Sequence, residues 1–448
     1  MTECITGRTQ ASFTFFGPQT VTAAFDDGAV TSNAGLALLA QLDRRSGLTE
    51  RFAGALEDRR DQRFVEHSLL EQFRQRVYQI ACGYEDCNDA DALRADPALK
   101  VACGRHPERD RDLASQPTLS RFENERTAVE VFDLNTALAE HYVQRRKGRP
   151  APRRIVLDLD STDDPTHGQQ ELTFFHGFYD TWMYHPLLCF DGDTGELVAV
   201  LLRPGNAHAA DEAVGTLRRL ARRFRAAWRH VRIVVRGDSA FGNPAMYDFC
   251  EREGLDYVLG LQINSRLSTV TDPLAHRAAA QFEATGQKAR LFDETKYQAR
   301  TWSRERRVIM RSQVDALGRN DRFVVTTLRG ASAEKVYDFY CERGDAENRI
   351  KDLKAALKAD RLSCHRFVAN AMRLALHAAA YVLMWELRHR LAGTDLGRAQ
   401  FDSLRLRLLK IGARVVTSAR RVWLHMTSAC PERAIWMFLA RRLGAETS

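Results

Sequence analysis

The sequence lacks any run of the roughly eighteen consecutive apolar residues that a membrane span requires. It also lacks internal repeats and low-complexity tracts, which excludes solenoids and disordered scaffolds. The first residues, MTECITGRTQASFTFFGPQT, have neither the basic start nor the apolar core of a secretory signal, so a cytoplasmic protein is expected. Cysteines number nine, an odd count scattered from Cys4 to Cys430, which fits free thiols in a reducing compartment rather than a disulfide framework. Cys82, Cys87, Cys103 and His106 lie close enough in sequence to suggest zinc. Their spacing is not that of a standard finger, and Cys82 falls in the apolar pattern of a predicted helix, so no zinc site is expected. The positive excess is uneven along the chain. From Arg361 to Ser448, 15 Lys and Arg face 5 Asp and Glu, whereas the whole chain carries a formal +8. A basic tail of this kind suits a polyanionic partner, and it equally suits a solvated surface.

What is present is an ordinary folding composition, 44% hydrophobic and 28% charged, on a chain long enough for two or three domains. Residues 30–145 read mostly as helices: SNAGLALLAQLDRR and VEHSLLEQFRQRVYQIACG carry apolar residues every three or four positions, with Ser32 or Asn33 as a cap for the first. QRRKGRPAPRR (144–154) breaks that pattern with two prolines, a glycine and six basic residues, and reads as a linker. Beyond it the period changes. RRIVLDLDST, two runs flanking DGDTGE, VRIVVRGDSAFGN and DYVLGLQI read as strands, with an arginine-rich amphipathic helix and a helix starting at Pro244 between them. This alternation predicts a mixed sheet flanked by helices, an α/β fold. KARLFDETKYQARTW, RRVIMRSQVDALG and RFVVTTLRG read as consecutive antiparallel strands with GRND as a turn, a separate β-rich unit. Helix is expected from Ala333 to about Arg390.

Two strands end in an aspartate at the start of a polar loop, Asp160 in LDLDST and Asp238 in VVRGDS. Loops at the carboxyl ends of such strands are where α/β folds place their sites. The predicted helix over 340–358 adds Glu347, with Tyr340, Arg343 and Lys354 on the same face. Hard oxygen ligands of this kind suit Mg²⁺, and three carboxylates suffice to hold two ions about 4 Å apart for phosphodiester chemistry. Arg343 and Lys354 could hold phosphates beside them. Taken singly each residue has a blander reading: an aspartate after a strand often forms a turn, and Arg343 with Glu347 could be a surface ion pair. Asp158 and Asp160 lie on one face of the strand by alternation, so either could be the ligand.

The spacing Tyr340-x2-Arg343-x3-Glu347-x6-Lys354, with LDLDSTDDPTHGQQ and VVRGDSAFGN upstream, resembles the signature of bacterial insertion-sequence transposases of the DDE type. The resemblance covers most of the chain, from SNAGLALLAQLD through the helix after Glu347. It implies a ribonuclease H-like core with a β-rich insertion, and two Mg²⁺ or Mn²⁺ ions held by Asp160, Asp238 and Glu347. Tyr340, Arg343 and Lys354 would contact DNA near the scissile phosphate. The resemblance puts the first ligand before the Ser–Thr pair, hence Asp160, with Asp163, Asp164 and His167 orienting the loop.

The implied organisation is a helical N-terminal region (1–143) recognising terminal inverted repeats, a basic linker (144–154) and the first part of the core (155–268). A β-rich insertion (269–332), core helices carrying Glu347 (333–392) and a basic C-terminal region (393–448) follow. The implied partners are terminal-repeat and target DNA and a second copy of the chain in a dimer or higher oligomer, in the cytoplasm and on the nucleoid when DNA-bound.

Two basic segments remain. The helix over 216–229 carries Arg218, Arg219, Arg222, Arg223, Arg225 and Arg229 opposite Leu217, Leu220, Phe224 and Trp228, and reads first as a sheet-covering helix with a solvated outer face. SLRLRLLKIGARVVTSARRVWLHM interleaves basic with β-branched and aromatic residues and could pack on the core while its cations meet phosphate. The competing functions are a transposase-derived DNA-binding protein without activity, which predicts a damaged carboxylate set, and a ribonuclease H-like nuclease or resolvase that cuts without joining. A glycosidase with paired carboxylates fits poorly, because no aromatic sugar platform accompanies these acids.

Overall fold

Strand-forming runs that are apolar on both faces call for a sheet covered on both sides, and RIVLDLDS is buried from Ile155 to Asp160. The computed structural model describes residues 10–15, 18–24 and 26–446. Cys4 and the start of the segment judged for a secretory signal lie outside the described residues. Eight strands form the central sheet: β1 (Arg154–Ser161), β2 (Leu187–Asp191), β3 (Leu197–Leu201), β4 (Arg232–Gly237), β5 (Asp256–Leu261), β6 (Ala289–Tyr297), β7 (Arg306–Asp315) and β8 (Gly318–Thr326). Their spatial order is β6-β7-β8-β5-β4-β1-β2-β3. Strands β1, β4 and β5 are parallel, and β2 and β3 return antiparallel at one edge. This is the ribonuclease H-like mixed sheet expected from the sequence.

Helices cover the two faces. On one side α2 (Ala213–Ala227), α3 (Pro244–Glu253) and α4 (Ser265–Thr285) bury Leu217, Leu220, Phe224, Phe249 and Leu274 against Ile155, Leu157 and Val235. The arginines of α2 lie mainly along its outer side, and Arg223 pairs with Glu140 of α1 (Ala128–Gln144). On the other side α7 (Phe367–Arg390) packs under Leu188, Phe190 and Leu197, and the N-terminal helices wrap around it in the same apolar cluster. By length and composition α7 could cross a bilayer, contrary to the sequence expectation. Most of it is instead buried within the protein, as befits a core helix.

Three further expectations are corrected. The antiparallel strands β6, β7 and β8 are not a separate unit, because β8 pairs with β5 and so extends the core sheet, and the 21-residue helix α4 precedes them. GRND belongs to β8, and the chain reverses between Asp315 and Gly318. The segment expected as a linker runs from the end of α1 at Gln144 to the start of β1 at Arg154, and Arg145 and Arg146 in it are held by Asp191 and Glu196, the acids flanking the β2–β3 turn. The helix Leu36–Ser46 starts at Gly35 with no side-chain cap from Ser32 or Asn33.

Candidate active site

Asp160 and Asp238 stand at the carboxyl ends of neighbouring parallel strands β1 and β4, where the chain leaves the sheet. Glu347 comes from α6 (Asp345–Lys351). The segment from Tyr340 to Lys354 is not one regular helix. Helix α5 (Ala333–Cys341) passes into a 3₁₀ turn (Glu342–Gly344), then α6, then a π-helical turn (Asp352–Ala356). A π turn inside a helix shifts the side-chain register and is frequent at functional sites. This one is pinned by Asp352, which binds Arg388 of α7 at 2.6 Å and accepts from the Phe401 amide.

The charges of Asp238 and Glu347 both bear on Asp160. Burial pushes the Asp160 carboxyl up to about 6; the Arg343 guanidinium opposes this, and the charges of Asp238 and Glu347 add to it. Asp160 accepts from the Ser161 amide at 2.9 Å and from Arg343 Nη1 at 3.3 Å. Asp238 is half-buried and accepts from the Ala240 amide at 2.9 Å, while Glu347 is exposed. Neither has an ion-pair partner among the described residues.

Arg343 and Tyr340 lie near Asp160 and Asp238, and Lys354 reaches the loop that follows Asp160. The Arg343 guanidinium lies 5.9 Å from the Tyr340 ring centre. Burial raises the Tyr340 hydroxyl, with Arg343 opposing and Asp238 adding. Lys354 donates to the backbone and side-chain oxygens of Asp163, each at 2.8 Å, and to Thr162 Oγ1 at 3.3 Å. Burial alone would raise the Asp163 carboxyl, but this ammonium holds it below its ordinary value. Asp164 is buried and His167 is exposed on the same loop.

Asp158, two residues before Asp160, has a different environment. It is wholly buried, and Arg236 of β4 grips it through Nε at 2.6 Å and Nη2 at 2.9 Å. Arg349 of α6 adds a third bond at 3.1 Å. Arg236 also reaches the Phe339 carbonyl and Glu342, tying the α5–α6 segment to the sheet. A Cβ at Gly192 would sit 2.6 Å from Arg236 and 2.8 Å from Asp158, so the cage is closed.

Sequence reasoning missed Arg236, Arg349, Tyr179 and Gly260. Burial raises the Tyr179 hydroxyl and Asp163, Asp160 and Asp238 add to it, so the hairpin of Phe174–His176 and Thr181–Tyr184 borders the site. Gly260 of β5 lies against the Asp238–Ser239 backbone and the Tyr340 hydroxyl, and a Cβ there would fall 2.6 to 2.9 Å from all three. The signal for the cage was the position of Asp158 and Arg236, each two residues before a strand-ending aspartate.

Among the described residues no group of three His, Cys, Asp or Glu side chains is close enough to hold a metal ion. Cys82, Cys87 and Cys103 are buried free thiols, each raised by burial. The carboxylate oxygens around Asp160 nevertheless have the donor chemistry of a hard divalent cation, and two of the three acids lack any cation of their own among the described residues.

Over residues 13–447 the sequence matches the family described as transposase DDE domain, group 1. The chain belongs to that family. No curated protein matches this transposase-family chain. Among solved structures, one similar to it is the piggyBac transposase synaptic complex with hairpin DNA, determined by cryo-EM. The two share 9% identity and a TM-score of 0.42, over 93% of this chain and 83% of that one.

Proposed function

We propose that this chain is a DNA transposase that cleaves transposon ends at terminal inverted repeats and joins them to target DNA. The observation that carries this reading is the placement of Asp160 and Asp238 at the carboxyl ends of adjacent parallel strands, with Glu347 near enough for its charge to bear on Asp160. In a member of the DDE transposase family these are the acids to hold two Mg²⁺ or Mn²⁺ ions. Bound there, such ions would favour the attacking hydroxyl and stabilise the leaving oxygen of a phosphodiester.

The chain's own groups supply the rest. Arg343, charged and beside Asp160, offers planar donors to a phosphate once it leaves that carboxylate. Tyr340 borders Asp238 and presents a hydroxyl to the strand. Lys354 acts by fixing the Thr162–Asp163 loop rather than as a free phosphate contact. Water would attack the phosphodiester at the transposon end, breaking the bond between phosphorus and the transposon's terminal O3′, so that the phosphate stays on the flanking DNA and the transposon end carries a free 3′-hydroxyl. The freed 3′-hydroxyl would then attack a target phosphodiester, so one P–O bond forms as one breaks. The helical N-terminal region would read the terminal repeats, and the protein would work in the cytoplasm as a dimer or higher oligomer on DNA.

A cleavage and strand-transfer assay tests this, with labelled DNA carrying the element's own ends and Mg²⁺. Wild type should nick at the repeat boundary and join the end to target DNA, while Asp160→Asn, Asp238→Asn and Glu347→Gln bind DNA and do neither. Cutting without joining would favour a nuclease. Binding without cutting by wild type under every divalent metal would leave an inactive DNA-binding protein and overturn the catalytic assignment.

A further inference from the structure

Away from the carboxylates, Ala413–Thr417 and Val422–Met426 pair antiparallel, and Val30–Thr31 joins the near end of the first strand. Beyond Val415, whose amide donates to the Ala29 carbonyl at 2.8 Å, no third strand among the described residues continues the pairing, so the far end is a two-stranded ribbon. One face packs inward through Ala413 beside Ala34 and Ile411. The other exposes Arg414, Val416, Trp423 and His425, which lie opposite one another in register. Arg420 and Arg421 occupy the exposed turn. The rings of Trp423 and His425 are nearly parallel, 11° apart, and Arg421 lies 5.5 Å from the Trp423 ring centre.

The charge on this ribbon is one-sided. From Ser403 to Pro431 the sequence has six Lys and Arg and no Asp or Glu. Arg407 is matched by Glu432, and Lys410 rests on the Tyr84 ring and donates to Asn33. Arg414, Arg420 and Arg421 have no acidic partner among the described residues. The Thr417 hydroxyl donates to Glu108, which steadies the ribbon without neutralising those guanidinium groups.

We propose that this ribbon is a second DNA-binding element, separate from the carboxylate site and directed at the backbone of duplex DNA. A two-stranded ribbon fits the major groove, and three arginines without an acidic partner among the described residues complement a row of phosphates. A protein partner would have to desolvate all three guanidinium groups and supply acids for each. The inference rests on DNA being the partner of the proposed transposase, but not on catalysis.

The test measures the affinity of the full-length chain for a random-sequence duplex across a salt series, with Arg414, Arg420 and Arg421 all changed to Gln. The salt slope of log affinity should become shallower by roughly two to three, at about 0.9 for each phosphate no longer neutralised. The triple Lys variant should keep the slope, which separates lost charge from lost folding. Trp423→Ala should weaken binding with the slope intact. Unchanged slope and affinity in the Gln variant would overturn the proposal while leaving the transposase reading standing. So would loss of oligomer mass at unchanged slope, which would make the face an interface between copies. A Lys variant as impaired as the Gln variant would also overturn it. Wild type without salt-dependent DNA binding would sink both readings.

Discussion

Arg236 holds Asp158 with two nitrogens, Nε at 2.6 Å and Nη2 at 2.9 Å, inside a site closed to solvent. With Arg349 this makes a buried cluster whose members each lie two residues from a candidate carboxylate: Asp158 from Asp160, Arg236 from Asp238, Arg349 from Glu347. Two strands and a helix are thereby drawn to one point, and the carboxylates beyond it are placed by the same connections. Removing Arg236 leaves the buried Asp158 carboxylate with Arg349 alone, at up to about 3–5 kcal/mol. Arg236→Met should lower the unfolding free energy by that order in urea titrations. Adding Asp158→Asn should recover part of the loss, and additive losses in the double variant would contradict the pairing.

Gly260 admits backbone where any side chain would intrude. In Gly260→Ala the new methyl meets the Ser239 amide at 2.6 Å, so β5 or the Asp238 loop must move. Overpacking of this kind costs about 1–3 kcal/mol. Cleavage should fall by about 100-fold, as misplacements near 1 Å can produce, while DNA affinity changes little. Wild-type cleavage by the variant would show that the close approach does not position Asp238.

Lys354→Met should separate two roles for this residue. If Lys354 anchors the Thr162–Asp163 loop, turnover drops by roughly 10- to 100-fold and the salt dependence of DNA binding is unchanged. If it binds a phosphate, the salt slope becomes shallower by about 0.9. The three bonds it makes to that loop favour the first outcome.

His141 is buried in α1 with neither ring nitrogen hydrogen-bonded. Burial lowers its pKa to about 3, with Arg51, Arg145 and Arg146 adding to the effect. An unfolded histidine titrates near 6.5, so the unfolded state binds this proton first as pH falls. The folded state should therefore lose stability from about pH 6.5 downward, by up to about 1.4 kcal/mol per pH unit from this group. His141→Gln should flatten the pH dependence of the melting temperature between pH 6.5 and 4, and an unaltered slope would contradict the assignment.

Much of this was legible in the sequence because strands and amphipathic helices announce themselves by period. Asp160 and Asp238 ended recognisable strands, and Tyr340, Arg343, Glu347 and Lys354 had a telling spacing. Long-range pairing was not legible. Nothing local in β8 shows that it joins β5, so three strands of the core sheet read as a separate unit. The anchoring of Arg145 and Arg146 was not legible either, because their acids, Asp191 and Glu196, lie some fifty residues away in sequence. The register changes between Tyr340 and Ala356 depend on anchors such as Asp352 with Arg388, which no helical periodicity reveals. The different environments of Asp158 and Asp160 arise the same way: alternation gave them one face, but only the neighbouring strand shows that Arg236 takes Asp158 and leaves Asp160 to Arg343.

The most direct test of the central claim, that Asp160, Asp238 and Glu347 together form one divalent-metal centre, is calorimetric titration of Mn²⁺ into the protein bound to its end DNA. The account predicts uptake by wild type that Asp160→Asn, Asp238→Asn and Glu347→Gln each weaken at least tenfold, with Asp158→Asn measured as the comparison. Metal uptake unchanged in all three variants, or lost only in Asp158→Asn, would contradict it.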